Sequence, residues 1–258
     1  MNNYLATGFR AVDETNSTKM QRCLDAMQAM DSFKAYKQRT LDLLVEKGRT
    51  AALDVGCGLG DDVIKLSQKF ARAAGVDSST TLINEAQARY ENTSCEFFCA
   101  DAHELPFADA EFDAVRIDRA LQHITGPQQV IAEMARVTKR GGIVLCAEPD
   151  WGTFFVRAGE DALTEEIQEH WASSFQNPWI GRQLSDIMSV AGIGDLIVEE
   201  HQLLTRGFEQ SDLVFDISAT LQKTEGFEDK EKAEWLETYR ASEAVAGVTL
   251  CICKGTRG

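Results

Sequence analysis

The sequence predicts an α/β fold, a mostly parallel sheet with helices on both faces. Three observations carry that prediction. Short apolar runs alternate with helical stretches between residues 51 and 149. Each run closes on a turn-forming residue such as glycine, aspartate or proline. A last apolar run, GVTLCIC, ends near residue 258, where it can lie antiparallel to its neighbour.

The elements follow in order. Residues 17 to 47 read as helix, with Ser17 or Thr18 as start signal and Gly48 as stop. Met20, Cys23, Leu24, Met27, Met30 and Phe33 recur at helical spacing, and Asp31-Ser32 offers a break into two helices. The methionines read as core filler, although a pliable helical pair ahead of a ligand loop can also serve as a lid. Residues 1–48 are therefore taken as an N-terminal helical lid region and 49–258 as the main domain. Strands are expected at AALDV, ARAAGVD, CEFFCAD, FDAVRID and GIVLCAEP, with helices at 61–72, 79–91 and 126–139. After Pro149 the alternation stops. Residues 160–191 look helical and suggest a helical cap insertion over about 151–192, after the fifth strand. A strand at LIVEEHQLLT, helices at 211–222 and 229–245, and the final strand complete the chain.

Composition narrows the function. The chain carries 26 Lys and Arg against 41 Asp and Glu, a formal charge of -15, which opposes a nucleic-acid backbone or an anionic membrane at long range. The N-terminus lacks the apolar core of a signal peptide, and no run of eighteen apolar residues occurs. Seven cysteines lack the paired spacing of a metal site. The expectation is a reduced, cytoplasmic protein with no metal and no nucleic-acid or membrane partner; oligomeric state is not readable.

The most informative stretch is LDVGCGLGDD, residues 53–62. Gly56, Gly58 and Gly60 form G-x-G-x-G, whereas dinucleotide sites carry G-x-G-x-x-G and seat a pyrophosphate on the following helix N-terminus. Here Asp61 and Asp62 occupy that end, and Asp54 precedes the glycines. Each carboxylate stabilises the helix dipole by ~0.3–1 kcal/mol, but together they repel a phosphate. The loop suits a ligand without phosphates. Asp77, ending the second strand, is placed to accept ribose hydroxyls. Asp101, ending the third, can accept from an adenine amino group while the Ala102 N–H meets a ring nitrogen. The same residues also read as strand-end turns, and Asp61 or Asp62 as helix caps.

Together with VDSS at 76–79, ADAHELPFADAEFDAV at 100–115, ALQHI at 120–124 and KRGGIVLCAEP at 139–149, this loop resembles the class I S-adenosylmethionine-dependent methyltransferases. The resemblance is to the small-molecule branch that includes ubiquinone and menaquinone C-methyltransferases, and covers about residues 50 to 150. It implies a Rossmann-like seven-stranded sheet with the last strand antiparallel. It also implies S-adenosylmethionine as cofactor and S-adenosylhomocysteine as product. Asp54 and Asp118 would lie near the methionine end, with Gly56 and Gly58 admitting the ligand to the backbone. Asp77 and Ser78 would meet ribose, and Asp101 with Ala102 adenine.

The implied chemistry is in-line displacement, for which alignment and water exclusion matter most. A base is needed only if the acceptor must lose a proton. His123 is the first candidate base, or else it ties down its own loop. Glu148 is the second, able to orient or deprotonate a substrate. Trp151, Phe154 and Phe155 can line an apolar slot or simply pack. Tyr4 can reach over the site, or belong to a mobile tail. Arg39 is a weaker candidate for the ligand carboxylate. NPWI at 177–180 is reminiscent of nucleic-acid amino-methyltransferases but lies outside the position after the fourth strand, and reads as a helix start with Pro178 in the first turn. The expected activity is methyl transfer to a small, partly apolar molecule, with carbon, nitrogen or oxygen as acceptor left open. Its rivals are an S-adenosylmethionine-binding cyclase, isomerase or sensor on the same fold, and a nicotinamide-dependent dehydrogenase.

Overall fold

The computed structural model describes residues 4–15, 17–46, 48–157 and 162–258. The chain opens with α1 (Leu5–Gly8), a 3-10 turn (Val12–Glu14), α2 (Ser17–Ala29) and α3 (Asp31–Leu44). Next come β1 (Ala51–Val55), α4 (Asp61–Ser67), β2 (Arg72–Asp77), α5 (Thr80–Arg89), β3 (Glu96–Cys99) and β4 (Phe112–Asp118). A second 3-10 turn (Leu121–His123) leads to α6 (Pro127–Val137), β5 (Thr138–Arg157), α7 (Ala162–Ser173), α8 (Ile180–Val190) and β6 (Ile193–Arg206). The chain finishes with α9 (Phe208–Phe215), α10 (Ile217–Lys223), α11 (Asp229–Ala241) and β7 (Val245–Arg257).

The seven strands form one sheet in the order β3-β2-β1-β4-β5-β7-β6. The first five pair in parallel, and β7 lies between β5 and β6, antiparallel to both. This is the expected seven-stranded α/β fold. β1 is buried along its whole length, as a central parallel strand covered on both faces must be. Strand order reverses between β1 and β4, which opens a crevice at their carboxyl ends. One apolar layer joins Leu53, Val115 and Val144 to α6 and α8. The other joins Ala52, Ala114 and Leu145 to α4, to the N-terminal helices and to a cluster of aromatic rings. Among the described residues no helix is long and apolar enough to cross a membrane.

Several boundaries differ from expectation. β5 continues past Pro149 to Arg157, so residues 151–157 are strand. The β4 pairing has ended at Ala147, so the missing N–H of Pro149 costs that side nothing, and the register with β7 breaks between Asp150 and Phe155. The expected 160–191 helix, whose first two residues lie outside the described ones, divides into α7 and α8. Between them Asn177 Nδ2 donates to the Leu121 and Ile124 carbonyls at 2.7 and 2.6 Å. Pro178 precedes α8 by two residues, where its carbonyl accepts the Trp151 N–H at 2.8 Å. The expected 211–222 helix divides at Asp216, whose φ is 48°. Its carboxylate accepts the Leu5 N–H at 2.9 Å and the Lys19 ammonium at 2.8 Å, so it fastens the N-terminus.

Candidate active site

A cavity of about 450 Å³ occupies the crevice, lined by Gly56, Gly58, Asp77, Ser78, Asp101, Ala102, Asp118 and His123 among others. Its floor is the turn after β1, where Gly56 and Gly58 take φ of 68° and 54°, a region costly for side-chain-bearing residues. Gly60, at φ 81°, caps α4. Asp62 therefore acts as no cap: its carboxylate is drawn into an ion cluster described below. The Asp77 carboxylate accepts the Gly58 and Ser79 N–H groups, each at 2.9 Å, which ties the turn to the β2 tip. Burial pushes its pKa up against those two hydrogen bonds. Each oxygen keeps a lone pair for a ligand donor. Asp101 accepts from His103 N at 2.9 Å and meets its Nδ1 at 2.6 Å, leaving the other oxygen at the rim.

The floor continues into a cluster of buried charge. Arg116, fully buried, stands 2.6 Å from Asp118, 3.1 Å from Asp62 and 3.5 Å from Asp54. Lys37 of α3 bonds Asp62 and also Asp118, the latter at 3.0 Å. Lys65 reaches Asp62 at 2.9 Å, and the Tyr36 hydroxyl donates to Asp118 at 3.2 Å. Burial pushes the Asp118 carboxyl up, but Lys37, Arg116 and Arg119 outweigh it and hold the group below its ordinary value. At Asp54 burial prevails over Arg116 and raises the pKa. A small cleft touching Lys37, Asp54, Asp62, Asp118 and Arg119 joins this cluster to Gly56 and Gly58.

A second, apolar hollow adjoins the cavity and shares Phe9, Met27, Arg119, Gln122 and His123 with it. Trp151 forms its wall, stacked on Phe175 with centroids 4.3 Å apart and held by Nε1–H donation to Gln122 Oε1 at 2.7 Å. Phe154 packs behind Trp151 in the core, and Phe155 lies on the strand beyond it. His123 lies between the Phe9 and Phe175 rings, its Nδ1 buried without a hydrogen-bond partner. Burial, Arg10 and Arg119 push its pKa down to about 3, so it is a neutral imidazole and a poor proton acceptor.

Three sequence candidates are displaced. Glu148 is fully buried and does not line the cavity; its oxygens accept the N–H groups of Ala120, Leu121 and Gln122 at 2.8, 2.7 and 3.3 Å. It anchors the turn that carries His123. Tyr4 is also buried, packed edge-on against Trp171 with its hydroxyl 3.1 Å from Thr220 Oγ1, so it forms core beneath the N-terminus. Arg39 pairs with Glu199 on the surface.

A family described as "Methyltransferase domain" matches residues 53–146. An uncharacterized 37.1 kDa protein of a Streptomyces fradiae transposon is 30% identical over 237 residues, covering 89% of this chain and 69% of that one. The demethylmenaquinone methyltransferase of Bacillus licheniformis is 38% identical over 138 residues, covering 50% of this chain and 59% of that protein. The chain belongs to the class I S-adenosylmethionine-dependent methyltransferases. It spans less than two thirds of the length of the demethylmenaquinone enzymes it matches. The YcgJ protein of Bacillus subtilis superposes with a TM-score of 0.62 over 86% of this chain and 97% of that one, at 16% identity, a likeness of fold.

The lining fits the family's cofactor: a cavity in the size range of ligand pockets, with carboxylate acceptors at the β2 and β3 tips. Sequence reading offered the N-terminal helices as a lid but named none of their residues as lining the cavity. Phe9, Arg10 and Val12 line the cavity, as do Leu24 and Met27 of α2. Asp13 accepts from the Ser79 hydroxyl at 2.6 Å and from the Thr80 and Thr81 N–H groups at 2.9 and 3.1 Å, strapping this segment to α5. Only the helical periodicity of 17–47 hinted at such a cover.

Proposed function

We propose that this protein transfers a methyl group from S-adenosylmethionine to a small, partly apolar molecule in the cytoplasm. The observation that carries this reading is the junction of two spaces: a cavity at the strand tips bearing Asp77, Asp101 and Asp118, and an aromatic hollow opening from it. Gly56 and Gly58 let the backbone approach the cofactor, Asp77 with Ser78 accepts its ribose hydroxyls, and Asp101 with Ala102 meets adenine. Asp118 at the β4 tip offers carboxylate oxygens to the ammonium end, with Asp54 behind it in the adjoining cleft. The cofactor supplies a methyl group on a cationic sulfur, activated for displacement. The chain's part is to orient the acceptor between Trp151 and His123, and to exclude water with Phe9, Leu24 and Met27.

Thermal unfolding tests the cofactor assignment. S-adenosylhomocysteine at a hundredfold its Kd stabilises a single site by about 2.7 kcal/mol, so the midpoint rises, and Asp77→Ala abolishes the rise. Protection by NAD alone would overturn the assignment. The mass of any turned-over substrate then decides the reaction: transfer adds one methyl group, whereas cyclisation or isomerisation leaves the mass unchanged.

A further inference from the structure

We propose that the acceptor is a small apolar carboxylic acid, bound as its carboxylate by Arg119 and methylated on oxygen to an ester. This inference rests on the methyl-transfer reading and names its substrate class.

Arg119 stands where the two spaces meet and lines both. It is not a glycine, yet its φ is 56°, with its N–H bonded to the Ala147 carbonyl at 2.8 Å. Such backbone strain persists where surroundings impose it, commonly at ligand sites. The guanidinium lies 5.3 Å from the Phe33 ring centre, and one terminal nitrogen touches Met27 Sδ at 2.6 Å. Its Nε is buried without a hydrogen-bond partner, 3.5 Å from the nearest Asp118 oxygen. In the adjoining cluster three carboxylates, Asp54, Asp62 and Asp118, face four cations, Lys37, Lys65, Arg116 and Arg119. Asp118 is already held by Arg116, Lys37 and Tyr36, so Arg119 is the cation in excess. A guanidinium in such a place favours a planar anion. The formal charge of -15 works against anions only at long range, where salt screens it within ~10 Å.

The hollow supplies the second half of the argument. Neither titratable neighbour of Arg119 in the hollow's lining is a ready base: His123 is pushed down to about 3, and burial pushes the Cys23 thiol up to about 12. Outside the hollow, Asp118 is held by cations and Glu148 by the N–H groups of its turn. An acceptor in this place must arrive able to attack without losing a proton. A carboxylate does. One oxygen lone pair forms the O–CH3 bond as the methyl–sulfur bond breaks, the electron pair leaves on sulfur, and no proton moves. The apolar body lies against Trp151 and Phe175.

Benzoate and its neutral isostere benzamide are the probes, titrated against the full chain saturated with S-adenosylhomocysteine and followed by tryptophan fluorescence, two of the four tryptophans, Trp151 and Trp171, lining the hollow. The expected result is benzoate bound at least about tenfold more tightly than benzamide, a preference erased in Arg119→Gln and partly restored in Arg119→Lys. S-adenosylhomocysteine affinity changes less than about threefold in both variants. Equal binding of the two probes by wild type overturns the proposal. So does a tenfold loss of S-adenosylhomocysteine affinity in Arg119→Gln, which would give the guanidinium to the cofactor's own carboxylate. If wild type does not bind S-adenosylhomocysteine, the methyl-transfer reading itself fails, and both fall together.

Discussion

His123 lies among rings and cations, and its pKa of about 3 in the fold stands against 6.5 for an exposed imidazole. As pH falls below 6.5 the unfolded chain takes up a proton that the folded chain refuses until about pH 3. The unfolded state thus binds more protons across that window, and stability is lost as pH falls, by at most about 1.4 kcal/mol per unit for this one group. Urea unfolding between about pH 7 and pH 5 should show wild type declining more steeply than His123→Gln; coincident slopes would refute the burial. Glu148 is the complementary case. Its oxygens serve three backbone N–H groups, so Glu148→Ala orphans donors that each cost about 1–3 kcal/mol. A loss of about 3 kcal/mol or more in urea unfolding is expected, and a neutral result would mean water replaces the carboxylate. Both residues were singled out in the sequence for chemistry. A buried histidine and an acid facing a turn look the same in one dimension as a base facing a substrate.

At the scale of elements, what lay close in sequence was readable. The turn after β1, the acids at the β2 and β3 tips and the alternation of the first five strands with helices depend on neighbours within a few residues. Gly60 shows how strict that local chemistry is. It takes φ 81°, and a Cβ there would fall 2.6 Å from the Phe97 ring. Gly141 has a similar φ of 71°, but nothing lies within 4 Å of an added Cβ. Gly141→Ala should therefore cost about 1–2 kcal/mol, the left-handed penalty alone, and Gly60→Ala clearly more. Thermal unfolding of the two variants checks this, and equal losses would show that the ring moves aside freely. The breaks after α7 and at Asp216 were not readable, because their causes are remote. Asn177 reaches back to Leu121 and Ile124, and Asp216 is held by Leu5 and Lys19. Helical periodicity runs through both breaks, since it records which side faces apolar surroundings and not where the chain turns.

Across the whole molecule, the N-terminal helices are joined to the sheet by charge as well as by apolar contact. Lys37 extends from α3 into the space between α4 and β4, bonded to Asp62 and Asp118 with its side chain 7% exposed. Burial works against its charge, yet the two carboxylates prevail and raise its pKa. Removing that ammonium in Lys37→Met leaves Asp62 and Asp118 with Arg116 as their main counter-charge, and breaking a buried pair from one side typically costs about 3–5 kcal/mol. The loss should not be uniform. Lys37 carries the charged tie of α3 to the β4 tip, beside the Tyr36 hydroxyl on Asp118, whereas β1 is enclosed by β2 and β4 regardless. Hydrogen exchange in Lys37→Met should therefore accelerate first over residues 17–44, well before β1, and stabilisation by S-adenosylhomocysteine should weaken as Leu24 and Met27 leave the cavity wall. Because the pair is shielded from solvent, salt should reproduce little of this effect in wild type. Exchange accelerated equally in 17–44 and in β1 would mean that the N-terminal helices and the sheet open as one unit. The lid role first suggested by the pliable methionines of α2 would then be lost, and the segment would be a fixed wall of the site.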